Sequence, residues 1–428
     1  MTKRSRYRSR NAKALALRRF TLGFFFALSF VSFGYFEPWN WKNDPQAQWG
    51  GEVTVNYNKL VEEAGNSAHL RQIPWTNSFY PMWKGGFAVR DVNLSDRQMG
   101  PFTLEYKFHP DSELARMSEE ELKALSGAEK LDIVNGRSSD RLRDEYQRAL
   151  RERGEDGDFS DQKYYQFTRR MRRLVYPYVT DPRDELSQFS GWCQPLALAS
   201  IHHPEPDLVR FTTNIVGEDG QKVVLPLTSS DIKGFMMMAY EDVMDNIKDD
   251  DPNYKMVDRR CYDRDSKYYN AENCRSMNAG TFHVILLNQI GRFGQGLVAD
   301  FDPKRPIWNH PIEGYEILSS RWYTDREGNY LRSRNASADS VREREFTTKM
   351  FFVKNSVGLH ERAMGQDKIR ENYYYSWTLH YRIELDANDN IVGGTWLEDP
   401  SDLVDFMWVY PKIKRFENDY SFLNGIVK

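Results

Sequence analysis

The sequence predicts an α+β protein: a helical amino-terminal region, a middle that mixes helix and strand, and a β-rich carboxy-terminal part. Three observations carry that reading. Ser118 followed three residues later by Glu121 forms a capping box at the start of a charged helical stretch. Residues 187–318 alternate helix-like and strand-like pieces. In Tyr375–Leu385, the apolar residues Tyr375, Trp377, Leu379, Tyr381, Ile383 and Leu385 alternate with Ser376, Thr378, His380, Arg382 and Glu384. That period of two marks a half-buried strand. A chain of 428 residues divides into roughly two to three structural units, and 40% hydrophobic with 28% charged residues favours a packed core over disorder. The expected divisions are 1–41, 42–175, 176–325 and 326–428.

The first division is a targeting segment. Eight basic residues and no acid occupy positions 1–19, and Phe20–Phe36 is an uncharged run of 17 residues that includes seven Phe. Such a run is just long enough to cross a bilayer as a helix, with the basic end inside and Trp39 and Trp41 at the outer interface. Residues 20–36 therefore read as a membrane anchor. A cleaved signal peptide is the competing reading, because Ser32-Phe33-Gly34 offers small residues for cleavage. Either way the body is exported.

Residues 42–110 lack a sustained period and read as irregular with short strands. Helices follow over 117–157 (for example Asp140–Arg153) and Asp161–Leu174. The run Arg169–Arg173 in the second of these reads as a solvated helix face. Residues 117–175 could mask a cleft as a pro-segment. A capped amphipathic helix covers Ile232–Met244, with Ser230-Asp231 at its start and Met236–Met238 in the core. Thr281–Leu287 is apolar on both faces and reads as a buried strand. Leu297–Asp302 can pair back onto it through the Gly-rich turn 291–296. Residues 319–371 read as charged loops, and Ile391–Leu397 returns on the 375–385 strand as a hairpin.

Charge excludes one function class. The total is 59 basic and 62 acidic residues, but residues 37–428 hold 51 basic and all 62 acidic ones, a net charge of −11. A nucleic-acid-binding body needs a basic face. No metal-ligand spacing or phosphate-binding loop appears, and no cofactor is called for. Asp249-Asp250-Asp251 reads as a solvated loop and does not indicate calcium dependence.

The three cysteines divide as a pair and one. Cys261 and Cys274, with twelve residues between them, are expected to form a disulfide in an exported protein. Cys193 is left over, in Gly191-Trp192-Cys193-Gln194-Pro195-Leu196. Gly191 permits a turn, Pro195 suits a first helical turn, and a helix amino terminus favours thiolate. A buried structural thiol is the other reading of that pattern. A nucleophile needs a base, and of the eight histidines only His283 and His380 lie in strand-like runs. His380 faces solvent on its strand, whereas His283 is buried. Cross-strand pairing of 283 with 300 would let Asp300, or Asp302 with a shifted turn, orient the imidazole.

Gly191-Trp192-Cys193, Pro204-Glu205-Pro206, Asp231-Ile232-Lys233, Asn278–Val284 and Trp308-Asn309-His310-Pro311 resemble, in that order, segments of the elicitor-type transglutaminases. Tyr381–Ala387 with Ile391–Gly394 is similar to that family's closing strands. The resemblance covers roughly residues 117–410. It implies a papain-like transglutaminase core in which Cys193 is the nucleophile, His283 the base and Asp300 the orienting acid. The implied reaction forms a Cys193 thioester with a glutamine-like donor of a protein or peptide, then transfers the acyl group to an amine or water. The competing reading is a cysteine peptidase or amidase acting on peptide or cell-wall cross-links. Oxyanion stabilisation or substrate binding would fall to the Cys193 N–H with Trp192, Gln194, Trp308 and Asn309. The family pattern has His directly after the cysteine and an aromatic residue two positions further. Gln194 and Leu196 stand there in this chain, which bears on acceptor preference and oxyanion geometry.

Overall fold

One large antiparallel sheet is covered on both faces, and the covering decides where each site residue lies. The computed structural model describes residues 39, 43–50, 52–80, 87, 109–136, 191–247, 251–258, 277–301, 307–355, 358–398 and 403–427. Several sequence-based expectations lie outside these residues. They are the 20–36 segment, Cys261 and Cys274, the stretches 140–153 and 161–174 with Arg169–Arg173, and Asp302. Among the described residues no helix is long and apolar enough to cross a membrane.

In chain order the elements are α1 (Pro45–Trp49), α2 (Tyr57–Ala64), β1 (Ser67–His69), α3 (Asp111–Leu114), α4 (Glu119–Ala124), α5 (Gly127–Val134) and α6 (Cys193–His202). There follow β2 (Val209–Val216), β3 (Lys222–Leu227), α7 (Ser229–Met244), β4 (Lys255–Val257), α8 (Ala279–Leu286), β5 (Leu297–Phe301) and β6 (Asn309–Trp322). The chain closes with β7 (Arg342–Val353), α9 (Gly365–Asn372), β8 (Tyr374–Leu385), β9 (Ile391–Trp396), β10 (Val404–Val409) and a 3₁₀ segment, Asn418–Gly425. The main sheet runs β4-β10-β5-β6-β7-β8-β9, with β1 added to β6, while β2 and β3 pair apart as a hairpin.

Alternation along the strands sorts their side chains into two cores. On one face Val298, Phe406 and Trp408 join Leu196 of α6 and the Met236–Met238 run of α7. On the other, Leu297, Ala299, Phe301, Ile312, Met350 and Tyr381 join Trp49 of α1, Leu60 of α2 and Phe282 of α8. Helices α3–α5 belong to the first core through Leu114, Leu122, Leu125, Ala128 and Leu131. A buried ion pair, Lys130 Nζ to Asp231 Oδ2 at 2.6 Å, ties α5 to α7.

The capping box of Ser118 and Glu121 begins α4 as the sequence predicts. α7 starts earlier than predicted: Thr228 is its N-cap, with Asp231 as the reciprocating acid. The 375–385 strand and its hairpin partner are present as β8 and β9. Three expectations need correction. Residues 42–110 were read as irregular with short strands, yet α1 and α2 form behind the caps Asp44 and Asn56. Residues 319–371 contain β7, whose many charged residues obscure a strand that pairs with both β6 and β8. Residues 281–287 are helical, not a strand. Asn278 Oδ1 accepts from the Gly280 and Thr281 N–H groups and starts α8. Total burial removed the polar positions by which helical period is read.

The start of the described chain is bonded to its far end. Ile391 N–H donates to Val55 O at 2.9 Å, Tyr57 N–H donates to Asp389 O at 2.8 Å, and Asn56 bridges Asn390.

Candidate active site

Cys193 opens α6, and its place is set by a close backbone contact. Trp192 N–H donates to Phe79 O at 2.6 Å. A Cβ on Gly191 would stand 2.8 Å from that oxygen and 2.5 Å from the Phe79 ring, so only glycine fits the turn. The Trp192 ring packs edge-on against Tyr80 and obliquely against Phe87, which pins the helix start. Pro195 in the first turn forgoes an N–H that has no intrahelical acceptor there. Gln194, the second helical residue, is half-buried.

The thiol faces the sheet. Asn309 Nδ2 lies 3.6 Å from Cys193 Sγ, and the indole Nε1–H of Trp408 donates to Asn309 Oδ1 at 2.8 Å. Asp300 sits directly across from Asn309 in the β5–β6 register, and Phe406 of β10 pairs with Asp300 on its other side. Directly opposed residues share a face, so Asp300 and Asn309 lie on the α6 side together. Asp300 Oδ1 accepts the Trp308 N–H at 2.8 Å, and the Trp308 ring meets Phe79 edge-on at 5.0 Å. Cys193, Asp300 and Asn309 are all buried, Cys193 with 8% of its residue surface exposed.

Burial pushes the Cys193 thiol above its usual range. Asn309, through backbone and side-chain N–H groups, pulls it down, while the carboxylates of Asp300 and Glu241 push it up. On balance burial and these neighbours push the thiol up, against the lowering the sequence suggests.

His283 is elsewhere. Its Nδ1 bonds the Tyr381 hydroxyl at 2.8 Å, and its ring packs on Phe346 at 4.6 Å. Tyr381 and Phe346 belong to the core on the opposite face from α6. The expected 283–300 strand pairing is absent, because Asp300 pairs with Asn309 and Phe406 instead. Burial lowers His283 to about 3, so it is neutral at physiological pH, and its Nε2 has no hydrogen-bond partner among the described residues. The structure thus brings together Cys193, Asp300, Asn309 and Trp308, and does not bring His283 to them.

Sequence reasoning missed Trp408, which lies far along the chain in a mostly apolar strand, Val404–Val409, with only Asp405 as a polar mark. It also missed what the other motif residues do. Glu205 accepts from Lys233 Nζ at 2.6 Å and from the N–H groups of Met364 and Gly365 at 2.9 Å each. Gly280 permits α8 to dock on β9, since a Cβ there would stand 2.2 Å from Gly393 O. Pro204-Glu205-Pro206, Asp231–Lys233 and Asn278–Val284 are therefore joints of the scaffold.

The family model for transglutaminase elicitors matches residues 186–419, a span that takes in Cys193, Asp300, Asn309 and Trp408. The chain belongs to the transglutaminase elicitor family. A crystal structure of the GP42 transglutaminase from Phytophthora sojae superposes with a TM-score of 0.54 at 14% identity, covering 87% of this chain and 91% of that one. At that identity the likeness is one of fold. No curated protein sequence matches the chain. For this member of the elicitor family, mixed helix and sheet agrees with the expected fold class, and a buried thiol facing a carboxylate and an amide is its candidate centre.

Proposed function

We propose that the chain is a transglutaminase-type acyltransferase acting on protein or peptide glutamine donors, with Cys193 as nucleophile. The observation that carries this reading is the Cys193–Asn309 contact with Asp300 across the strand pair, inside the segment that matches the family. Cys193 Sγ attacks the side-chain amide carbon of a glutamine-like donor and its proton passes to Asp300. The tetrahedral adduct collapses, the proton returns to the leaving nitrogen, and ammonia departs from a thioester. An amine then attacks the thioester and gives its proton to Asp300; the C–S bond breaks, Asp300 returns the proton to the departing Cys193 sulfur, and an amide bond and the free thiol remain. Water in place of the amine gives deamidation. Asp300 takes the base role that the sequence reading gave to His283, because it stands on the thiol's own side of the sheet. The Cys193 N–H, in the unbonded first turn of α6, and the Asn309 amide are the donors offered to the oxyanion.

The basic and apolar segments of residues 1–36 support action outside the cytoplasm. Cell fractionation tests this, and recovery of the chain in the cytosol would refute it. The activity is tested by incorporation of a fluorescent primary amine into casein. Wild type is expected to label casein and Cys193→Ala to label none. Labelling by Cys193→Ala would refute the nucleophile, and ammonia release without amine adduct at high amine would make the chain a hydrolase.

A further inference from the structure

We propose that Trp408 is a positioning residue: its indole fixes the Asn309 amide so that an N–H, and not the carbonyl oxygen, meets the Cys193 sulfur. The inference rests on the proposed role of Cys193.

An indole Nε1–H can only donate. The atom it meets at 2.8 Å must therefore be the acceptor of the amide, Asn309 Oδ1. With the oxygen so fixed, the NH₂ is the group left to face Cys193 Sγ at 3.6 Å. Trp408 is fully buried in β10, between β4 and β5, with Val298 and Met256 as its cross-strand partners and Tyr254 against its ring. Its indole is thereby held in place by two strands.

The orientation matters because the rest of the setting opposes charge on the sulfur. Among the described residues, Asp300 from β5 and Glu241 from α7 are the charged groups that act on Cys193, and both are carboxylates. A donor N–H favours thiolate, whereas a carbonyl oxygen turned to the sulfur would favour the neutral thiol as hydrogen-bond donor. Trp408 acts only through Asn309, and that separates it from a residue that merely fills the core.

The test measures alkylation of Cys193 by iodoacetamide against pH in the full chain, read at the Cys193 peptide by mass spectrometry, alongside amine incorporation. In Trp408→Phe the alkylation midpoint is expected to rise by about one pH unit or more, with kcat/KM for amine incorporation falling roughly tenfold or more. Asn309→Ala removes the side-chain donor without adding a charge, so the same upward move is expected even if the Phe variant does not fold. Adding Trp408→Phe to Asn309→Ala is expected to cost no further activity. An unmoved alkylation profile in either single variant, or losses that add in the double variant, would overturn the proposal. Cys193→Ala separates the two readings. If it retains activity, the nucleophile assignment fails, while the alkylation profiles still report on the positioning role.

Discussion

Replacing His283 by Gln should make the protein less stable at neutral pH and more stable in acid. The buried imidazole is depressed from an ordinary value of 6.5 to about 3. Between those values the unfolded chain takes up a proton that the folded one refuses, so stability falls as pH drops through the window from 6.5 to 3. At pH 4 that difference amounts to about 3 kcal/mol. At pH 7 it vanishes, and the variant simply loses the 2.8 Å bond to Tyr381 and some packing on Phe346, a cost of about 1–2 kcal/mol. His203 and His310, lowered by burial to about 3 and about 4, titrate the same way in both proteins and cancel in the comparison. Urea unfolding followed by tryptophan fluorescence at pH 7, 5.5 and 4 supplies the two curves, which should cross. Parallel curves would refute the argument. The same variant, assayed for amine incorporation, should keep the pH profile of wild type. Loss of its acidic limb, the side on which a protonated base stops working, would return the role of base to His283.

Two further outcomes follow from the scaffold joints. Lys233→Met leaves the Glu205 carboxylate buried with only the Met364 and Gly365 N–H groups, and should cost about 3–5 kcal/mol at pH 7. A loss under about 1 kcal/mol in chemical denaturation would show the pair to be dispensable. Gly280→Ala drives a Cβ into the Gly393 carbonyl and should destabilise by about 3 kcal/mol or more, whereas Gly425→Ala, at the end of the 3₁₀ segment with nothing near, should cost far less. Equal melting temperatures for the two variants would contradict that contrast.

What the sequence made legible were features with a local signature. The capping box at Ser118, the alternation of β8 and the hairpin into β9 are all decided by residues within a few positions of one another. Cys193 at a helix start is local too, with Gly191 and Pro195 marking the turn. The failures have a shared cause. Thr281–Leu287 is buried on every side, so it lacked the polar residues that distinguish a period of 3.6 from a period of two, and His283 was set on a strand facing the thiol. Asn309, named through the family resemblance for the oxyanion or substrate, meets the Cys193 sulfur itself, a role its sequence motif does not specify. β7 was hidden because its charged residues find partners across the sheet, as Glu343 and Glu345 do with Arg382 of β8. Such pairing is visible only once strand order is known.

The bonds between residues 55–57 and 389–391 also govern how the chain must fold. Asn56 Nδ2 donates to Asn388 O across a separation of 332 residues. That contact closes a loop of about three-quarters of the chain, and such loops are entropically costly and slow to form. Trp49 of α1 can meet Gln289, and Leu60 of α2 the helical stretch around Ile290, as soon as those residues are made. Val55, Asn56 and Tyr57 are the residues of this segment whose partners, at 388–391, are synthesised last. The fold is therefore completed only once residue 391 is free to return to residue 55.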